Sequence, residues 1–214
     1  MLPILYSYRR CPNAIRARMA LKLAGIAVEI REISLREKPA HMLQVSPKAT
    51  VPVLVLQNGL VIEESSAIML FALKEHAVEA NVHAVSKVSL SNIDHCEKLI
   101  LENDTTFKQA LDAYKYPDRF HEKSPIEYRK QGEVFLKKLE DLLLVNPYLL
   151  SAEASLADIA IFPFIRQFAA IDVDWFEGVN GETAPYPRLS AWLSSWVGSN
   201  LFKSIMTKNP TFVG

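Results

Sequence analysis

The pattern of apolar residues changes character near residue 80, and this change most constrains the fold. Before it, apolar runs with strand character at residues 2–6 and 27–32 alternate with segments of helical spacing. Two further runs, 53–56 and 60–62, flank an Asn-Gly dipeptide, which is typical of a tight hairpin turn. Short helices are predicted over residues 36–45 and 65–75. This order predicts an α/β domain with a small mixed sheet of four strands and helices on its faces.

Beyond residues 77–86, which we predict to form a linker, every periodic segment is helical. Ser124-Pro125-Ile126-Glu127 is a capping box with proline at the first helical position, and Ser155-Leu156-Ala157-Asp158 is a second box-like start. The helix after Ser155 is apolar nearly all round, which indicates the buried centre of an all-α domain. Pro163 within it predicts a kink or an unsatisfied carbonyl. The domains are therefore predicted at residues 1–76 and 87–214.

Composition argues against several classes of protein. Lysine plus arginine equal aspartate plus glutamate at 24 each, so no basic field favours nucleic acid or an anionic membrane surface. No apolar run approaches the roughly 18 residues of a membrane span, and no secretory signal pattern is present. Two cysteines do not make a disulfide scaffold, so we expect a cytoplasmic protein. The five histidines show no spacing typical of a metal site.

Cys11 lies between the first predicted strand and the first predicted helix. Apolar residues recur in that helix at four-residue spacing from position 15, with Arg16, Arg18 and Lys22 between them, which indicates an amphipathic helix. Pro12 falls at the first helical position. Cys11 would therefore face unpaired helix N–H groups, which favour a nearby negative charge by about 0.3–1 kcal/mol. Because the thiolate is the nucleophile, we predict a reactive thiol; the alternative is a small buried cysteine.

No second cysteine lies near Cys11 in the sequence. Position 14, where a Cys-x-x-Cys redox pair would have its partner, is alanine. Cys96 lies far downstream in a predicted helix, where we expect a packed core residue. A catalytic cycle through a disulfide would therefore need an external thiol.

Five segments together resemble the cytosolic glutathione transferases over nearly the whole chain. They are Tyr6-Ser7-Tyr8-Arg9-Arg10-Cys11-Pro12, Val51-Pro52-Val53-Leu54, Glu64-Ser65-Ser66-Ala67-Ile68, Ser155-Leu156-Ala157-Asp158 and Tyr186-Pro187-Arg188-Leu189. The Cys-Pro start is similar to that of the omega-class and glutaredoxin-like members, in which cysteine replaces the catalytic tyrosine or serine. The resemblance implies a thioredoxin-like N-terminal domain, an all-helical C-terminal domain, glutathione as co-substrate and a homodimer.

The resemblance also implies roles for particular residues. Cys11 would be the catalytic nucleophile. Pro52 matches a cis proline, and Val51 before it would pair its backbone with the cysteinyl part of glutathione, as an added strand does. Glu64 and Ser65 match an acidic-serine pair that holds the γ-glutamyl group. Glu64 would bind the ammonium, and Ser65 with the following helix start would bind the carboxylate.

Other positions are less closely defined by the resemblance. Lys38 resembles a family lysine that contacts the glycyl carboxylate, and the alternative is a solvated surface lysine. Asn13 stands where an aromatic residue is common in the family, so the identity of the acceptor substrate stays open. Ala49 stands where glycine is usual. We expect the acceptor in the cleft between the domains. Candidates for its walls are Tyr8, Asn13, Phe107, Tyr114 and Phe168.

These residues predict a glutathione-dependent thiol transferase or reductase that acts through a mixed disulfide between Cys11 and glutathione. Reduction of dehydroascorbate and removal of glutathione from activated carbonyl compounds are related variants. Two alternatives stay open. One is a non-catalytic interaction protein on the same fold, since a fold does not imply a function. The other is conventional conjugation of glutathione to electrophiles.

Overall fold

The computed structural model describes residues 1–79, 93–179 and 183–213. The chain divides into two compact units, one of Met1–Ser86 together with Ser199–Gly214 and one of Lys87–Gly198. The predicted domains place residues 199–214 with the helices of the second domain, whereas the structure groups them with the first unit. Most of the predicted linker at residues 77–86 lies outside the described residues.

The first unit contains a mixed four-stranded sheet, as the sequence predicts. Its strands are β1 (Ile4–Ser7), β2 (Glu29–Glu32), β3 (Val53–Val55) and β4 (Val61–Glu63). They lie in the order β2-β1-β3-β4; β1 and β2 are parallel, and the other two pairs are antiparallel. Since β1 and β2 are parallel, their carboxyl ends meet at one edge, immediately before the segment that leads to Cys11.

Three helices follow the strands in this unit, and a fourth returns from the end of the chain. They are α1 (Pro12–Leu23), α2 (Ala40–Val45), α3 (Ser65–Glu79) and α10 (Asn200–Ile205). Helix α2 begins four residues later than predicted, because proline disfavours helical backbone at the residue before it and Pro39 stands at its cap. Helix α1 packs against both α3 and α10.

Packing on two sides changes the predicted character of α1. The spacing of apolar residues predicts that Arg16, Arg18 and Lys22 share a polar face, and of these only Lys22 is exposed. Arg16 and Arg18 are each 3 % exposed. The C-terminal segment contributes to the burial of Arg18, whose Nη2 lies 4.0 Å from Met206 Sδ. Further along, the N–H of Phe212 donates to the carbonyl oxygen of Glu32 at 2.7 Å and brings the chain end back to the sheet.

Every described element of the second unit is helical, which confirms the predicted all-helical domain. Its α-helices are α4 (Ile93–Glu102), α5 (Lys108–Lys115), α6 (Pro125–Leu143), α7 (Leu156–Ala169), α8 (Val173–Glu177) and α9 (Pro187–Gly198), with a π-helical turn at Asn103–Phe107 and a 3₁₀ turn at Pro117–Arg119. Helix α7 is buried on nearly all sides, and Pro163 lies inside it. Both predicted capping boxes are present. Within the described ranges, no helix is long and apolar enough to cross a membrane.

Ala49 adopts a left-handed backbone conformation, with φ of 54°. In this region the Cβ of a non-glycine residue crowds the backbone, at a cost of roughly 1–2 kcal/mol. This explains why glycine is usual at this position in the family that the sequence resembles. We expect Ala49→Gly to raise the free energy of unfolding by about 1 kcal/mol, measured by urea denaturation.

Ala24→Gly is the matched control in the same unit. Ala24 has φ of −73°, so glycine relieves no crowding there and adds freedom to the unfolded chain. A loss of stability at both positions would contradict the assignment of strain to Ala49.

Candidate active site

Cys11 is the N-terminal cap of α1, as predicted, and Pro12 is the first helical residue. Its backbone is extended (φ −72°, ψ 124°), and its N–H donates to the carbonyl oxygen of Tyr8 at 3.0 Å. The thiol is half-buried, and its Sγ lies 3.9 Å from the carbonyl oxygen of Val51. Cys11 therefore lies at a positive helix end and beside the backbone of a second segment.

That second segment contains a cis peptide bond between Val51 and Pro52, in agreement with the resemblance. Strand β3 begins directly afterwards, and Pro52 is buried whereas Val51 is half-buried. The carbonyl of Val51 thus lies at the sheet end nearest to Cys11, where a ligand backbone can pair with it.

Glu64 and Ser65 lie where β4 passes into α3. Glu64 has a left-handed backbone (φ 66°), which is uncommon for a non-glycine residue and occurs often at functional sites. Ser65 begins α3 and is 3 % exposed. Its Oγ accepts a hydrogen bond from Arg16 Nε at 2.9 Å and donates to Asn13 Oδ1 at 3.2 Å. A buried arginine therefore holds the serine hydroxyl in place.

These segments enclose a cavity of about 390 Å³, which we call the Glu64–Ser65 cavity; its walls are Asn13, Lys48, Thr50, Val51, Pro52, Glu64 and Ser65. The structure thus brings four of the proposed glutathione-binding residues together. Asn13 belongs to the same cavity, whereas the sequence suggested it for the acceptor wall. Lys38 is half-buried before α2 and is not among the residues that line the cavity.

Two basic residues of the site were missed by sequence reasoning. Lys48 Nζ lies 3.0 Å from Glu64 Oε1, and the two side chains are 57 % and 60 % exposed. Arg16 was assigned to a polar helix face, yet it is the buried donor to Ser65. The sequence carries no local signal for either pairing, because the partners stand 16 and 49 positions apart.

The aromatic candidates for the acceptor wall pack together in the second unit. The ring of Phe168 lies 5.3 Å from those of Phe107 and Tyr114, centroid to centroid. Phe107 and Phe168 are each 1 % exposed, so their rings fill the helical core and present almost no surface to an acceptor. Tyr114 is 6 % exposed, and Tyr8, in the first unit, is half-buried in the turn before Cys11.

A buried ion pair holds the segment that precedes Cys11. Arg18 Nη1 lies 3.9 Å from Glu32 Oε2, with side chains 2 % and 12 % exposed. Glu32 Oε1 accepts from the N–H of Arg9 at 2.7 Å, and Arg18 Nη2 donates to the carbonyl oxygen of Arg9 at 2.8 Å. Both backbone groups of Arg9 are therefore fixed, two residues before the thiol.

The charge of Arg18 persists at neutral pH in spite of its burial. Burial lowers the pKa of Arg18 to about 10, and the negative charge of Glu32 acts in the opposite direction. The guanidinium is therefore a permanent positive charge behind the Cys11 segment.

Cys96 is buried, whereas Cys11 is half-buried. Cys96 is 0 % exposed, and burial raises the pKa of its thiol. Because the thiolate is the reactive form, we expect iodoacetamide to modify Cys11 in the native protein and Cys96 only after denaturation. Peptide mass spectrometry after timed labelling checks this, with Cys11→Ser as the variant expected to stay unlabelled. Equal labelling rates for the two cysteines in the native wild type would contradict it.

Two family models match the chain. The model described as "Glutathione S-transferase, N-terminal domain" matches residues 5–80. The model described as "Glutathione S-transferase, C-terminal domain" matches residues 127–195. Together they cover more than half of the chain. Among curated relatives, glutathione S-transferase omega-1 of Sus scrofa is 24 % identical over 193 residues. The match covers 89 % of this chain and 75 % of that relative's length. A probable maleylacetoacetate isomerase of Caenorhabditis elegans is 25 % identical over 200 residues, covering 88 % and 85 %.

Solved structures agree with these matches. A glutathione transferase family member of Pseudomonas fluorescens, crystallised with two glutathione bound, superposes with a TM-score of 0.76 at 18 % identity, covering 96 % of this chain and 92 % of that one. A glutathione transferase of Pseudomonas putida, with one glutathione disulfide bound per subunit, has a TM-score of 0.76 at 17 % identity and covers 96 % and 90 %. At these identities the likeness concerns the fold. The sequence matches and the fold together show that this chain belongs to the glutathione S-transferase superfamily.

Proposed function

We propose that this protein is a glutathione-dependent thiol transferase with Cys11 as its nucleophile. The observation that carries the proposal is the position of Sγ, at the start of α1 and 3.9 Å from the carbonyl oxygen of Val51. Val51 is the residue expected to pair with the cysteinyl part of glutathione. A tripeptide added to the sheet at this point would have its sulfur next to the Cys11 thiol.

The Glu64–Ser65 cavity supplies groups for the γ-glutamyl end of glutathione. The carboxylate of Glu64 suits the ammonium. The hydroxyl of Ser65 and the N–H groups at the start of α3 suit the carboxylate, with the guanidinium of Arg16 behind them. Lys38 remains a proposed contact for the glycyl carboxylate. Glutathione is thus the proposed co-substrate, and we extend the proposal to a cytoplasmic homodimer.

The chemistry is thiol–disulfide exchange in two steps. The Cys11 thiolate attacks the glutathione sulfur of a mixed disulfide, so that a Cys11–glutathione disulfide forms while the original S–S bond breaks. The released acceptor thiolate takes a proton from solvent. A second glutathione thiolate then attacks the protein-bound glutathione, which yields glutathione disulfide and restores Cys11. The glutathione transferase of Pseudomonas putida was crystallised with glutathione disulfide bound. The same disulfide is the simplest substrate that we propose for this site.

Mass spectrometry of the intact protein tests the proposal directly. After incubation with glutathione disulfide we expect one glutathione on Cys11, removed again by excess reduced glutathione, and the same result in Cys96→Ala. Retention on glutathione resin is measured in parallel. Retention without an adduct would favour conventional conjugation, and failure of both would favour an interaction protein.

Lys48 is expected to compete with glutathione for Glu64. Their ion pair is exposed, and such pairs contribute roughly 0.2–1 kcal/mol. Lys48→Met should therefore tighten glutathione binding by up to about fivefold in titration calorimetry. Lys74→Met is the matched control, since Lys74 is exposed on α3 and does not line the cavity. Weaker binding in Lys48→Met would mean instead that Lys48 holds a carboxylate of glutathione.

A further inference from the structure

We propose that Glu32 is a positioning residue for Cys11, and that the C-terminal segment, residues 206–213, holds Glu32 in place. Neither Glu32 nor this segment is among the residues that line the Glu64–Ser65 cavity. The proposal rests on the proposed function, in which Cys11 is the nucleophile. It adds that residues from the opposite end of the chain determine how the thiol is presented.

A β-turn brings the chain from β1 to the start of α1. The N–H of Cys11 donates to the carbonyl oxygen of Tyr8 at 3.0 Å and closes the turn. Arg9 and Arg10 occupy its two central positions. Cys11 then has the extended backbone of a helix N-terminal cap, with φ of −72° and ψ of 124°. The orientation of this turn therefore decides where Sγ lies relative to the first N–H groups of α1 and to the carbonyl of Val51.

Glu32 binds this turn through its side chain. Its Oε1 accepts from the N–H of Arg9 at 2.7 Å, and its side chain is only 12 % exposed. Arg18 Nη2 donates to the carbonyl oxygen of Arg9 at 2.8 Å, so the peptide planes on both sides of Arg9 are fixed. A hydrogen bond to a carboxylate is stronger than one between neutral groups, and water has little access to replace it here. Glu32 therefore restrains the turn that ends at Cys11.

The C-terminal segment holds the strand that carries Glu32. Strand β2 lies at the edge of the sheet, with β1 on one side. On its other side, the N–H of Phe212 donates to the carbonyl oxygen of Glu32 at 2.7 Å, and Thr211 forms an isolated parallel bridge with the same residue. Met206 Sδ lies 4.0 Å from Arg18 Nη2. Because an edge strand with unpaired backbone groups opens locally more easily than a paired one, this segment limits the movement of Glu32.

Two substitutions at Glu32 separate its hydrogen bond from its charge. Glu32→Gln keeps an oxygen that can accept from the N–H of Arg9, and Glu32→Met has a similar length and no comparable acceptor. Both remove the charge that faces Arg18, so this effect cancels in the comparison. We expect the rate constant for iodoacetamide labelling of Cys11 to be about tenfold lower in Glu32→Met than in Glu32→Gln. The kcat for reduction of hydroxyethyl disulfide should fall by the same factor, with KM for glutathione unchanged.

The direction of the labelling result separates positioning from stability. A role in stability alone would expose the half-buried thiol more in the less stable variant and so speed its labelling. Equal rate constants, or faster labelling in Glu32→Met, would overturn the proposal. Labelling requires no glutathione, so the expected difference in a protein that reduces no disulfide would contradict the thiol transfer and still support the positioning. Glu29→Gln and Glu29→Met are the matched controls and should label equally, since Glu29 is an exposed residue of the same strand that pairs with Arg31.

The contribution of the C-terminal segment is tested at Phe212. Phe212→Pro removes the N–H that donates to Glu32, whereas Phe212→Ala keeps that N–H and also lacks the ring. Proline favours extended backbone at the residue before it, which suits the bridge formed by Thr211. We expect Cys11 to be labelled about threefold more slowly in Phe212→Pro than in Phe212→Ala. Equal rate constants in these two variants would overturn the role of the segment.

Discussion

Cys11→Ser is expected to abolish glutathione-dependent disulfide reduction, because a serine oxygen cannot take part in thiol–disulfide exchange. The fold should be unaffected, since serine is a good residue at a helix N-terminal cap. Glutathione affinity should change little, because the residues that we propose to bind the tripeptide, Val51, Glu64 and Ser65, do not depend on the thiol. The rate of reduction of hydroxyethyl disulfide and the dissociation constant for glutathione measure the two effects separately.

The same variant distinguishes the two glutathione chemistries. A serine hydroxyl can still donate a hydrogen bond to the thiolate of bound glutathione. We therefore expect weak conjugation of a chlorinated nitrobenzene by Cys11→Ser, together with the loss of disulfide reduction. Cys96→Ala, which removes the buried thiol, should retain the wild-type rate of reduction. Undiminished reduction by Cys11→Ser would exclude Cys11 as the nucleophile.

Asp158→Ala is expected to lower the free energy of unfolding by about 3–5 kcal/mol. Asp158 is 0 % exposed, and its carboxylate accepts from Leu149 N at 3.0 Å, Ser155 N at 2.8 Å and Trp192 Nε1 at 2.9 Å. Burial raises the pKa of Asp158, and its hydrogen bonds act in the opposite direction. Alanine leaves these donors in the core without an acceptor, and each such loss costs about 1–3 kcal/mol. Guanidinium unfolding followed by circular dichroism measures the change.

Glu127→Ala provides the matched control for Asp158→Ala. Glu127 closes the same kind of capping box at the start of α6, where its carboxylate accepts from Ser124 N at 2.8 Å. This box is exposed, so water replaces the lost acceptor and the expected cost is about 1 kcal/mol or less. Equal losses in the two variants would show that burial of the Asp158 network contributes nothing.

Local patterns in the sequence predicted most of the secondary structure. The alternation of strands and helices before residue 80, the Asn-Gly turn and the capping boxes depend on residues a few positions apart, and the described elements follow them. Pro12 at the first helical position, together with the apolar spacing from position 15, predicted Cys11 as the cap. The start of α2 was missed for an equally local reason, the proline at position 39.

Tertiary structure decided the composition of the site. Arg16 and Arg18 follow the spacing of a solvated face, yet helices pack on two sides of α1 and bury them, so that they bind Ser65 and the Arg9 backbone. Lys48 and Glu64, 16 positions apart in the sequence, also meet only in the folded chain, although their side chains stay exposed. Phe107 and Phe168 differ from their prediction in another way. The sequence suggested them for the wall of an acceptor pocket, and the structure buries them in the hydrophobic core.

The roles assigned to Val51, Glu64 and Ser65 came from the family resemblance, because nothing in their local sequence distinguishes a ligand-binding turn from an ordinary helix start. Periodicity reports which side of an element is apolar, and it carries no information about which element will cover that side. The position of the Cys11 thiol at a helix start could be predicted from the sequence itself, because it depends on neighbouring residues. The buried Arg16, Arg18 and Glu32 around it could be assigned only after β1, β2, α1, α3 and α10 had been packed together.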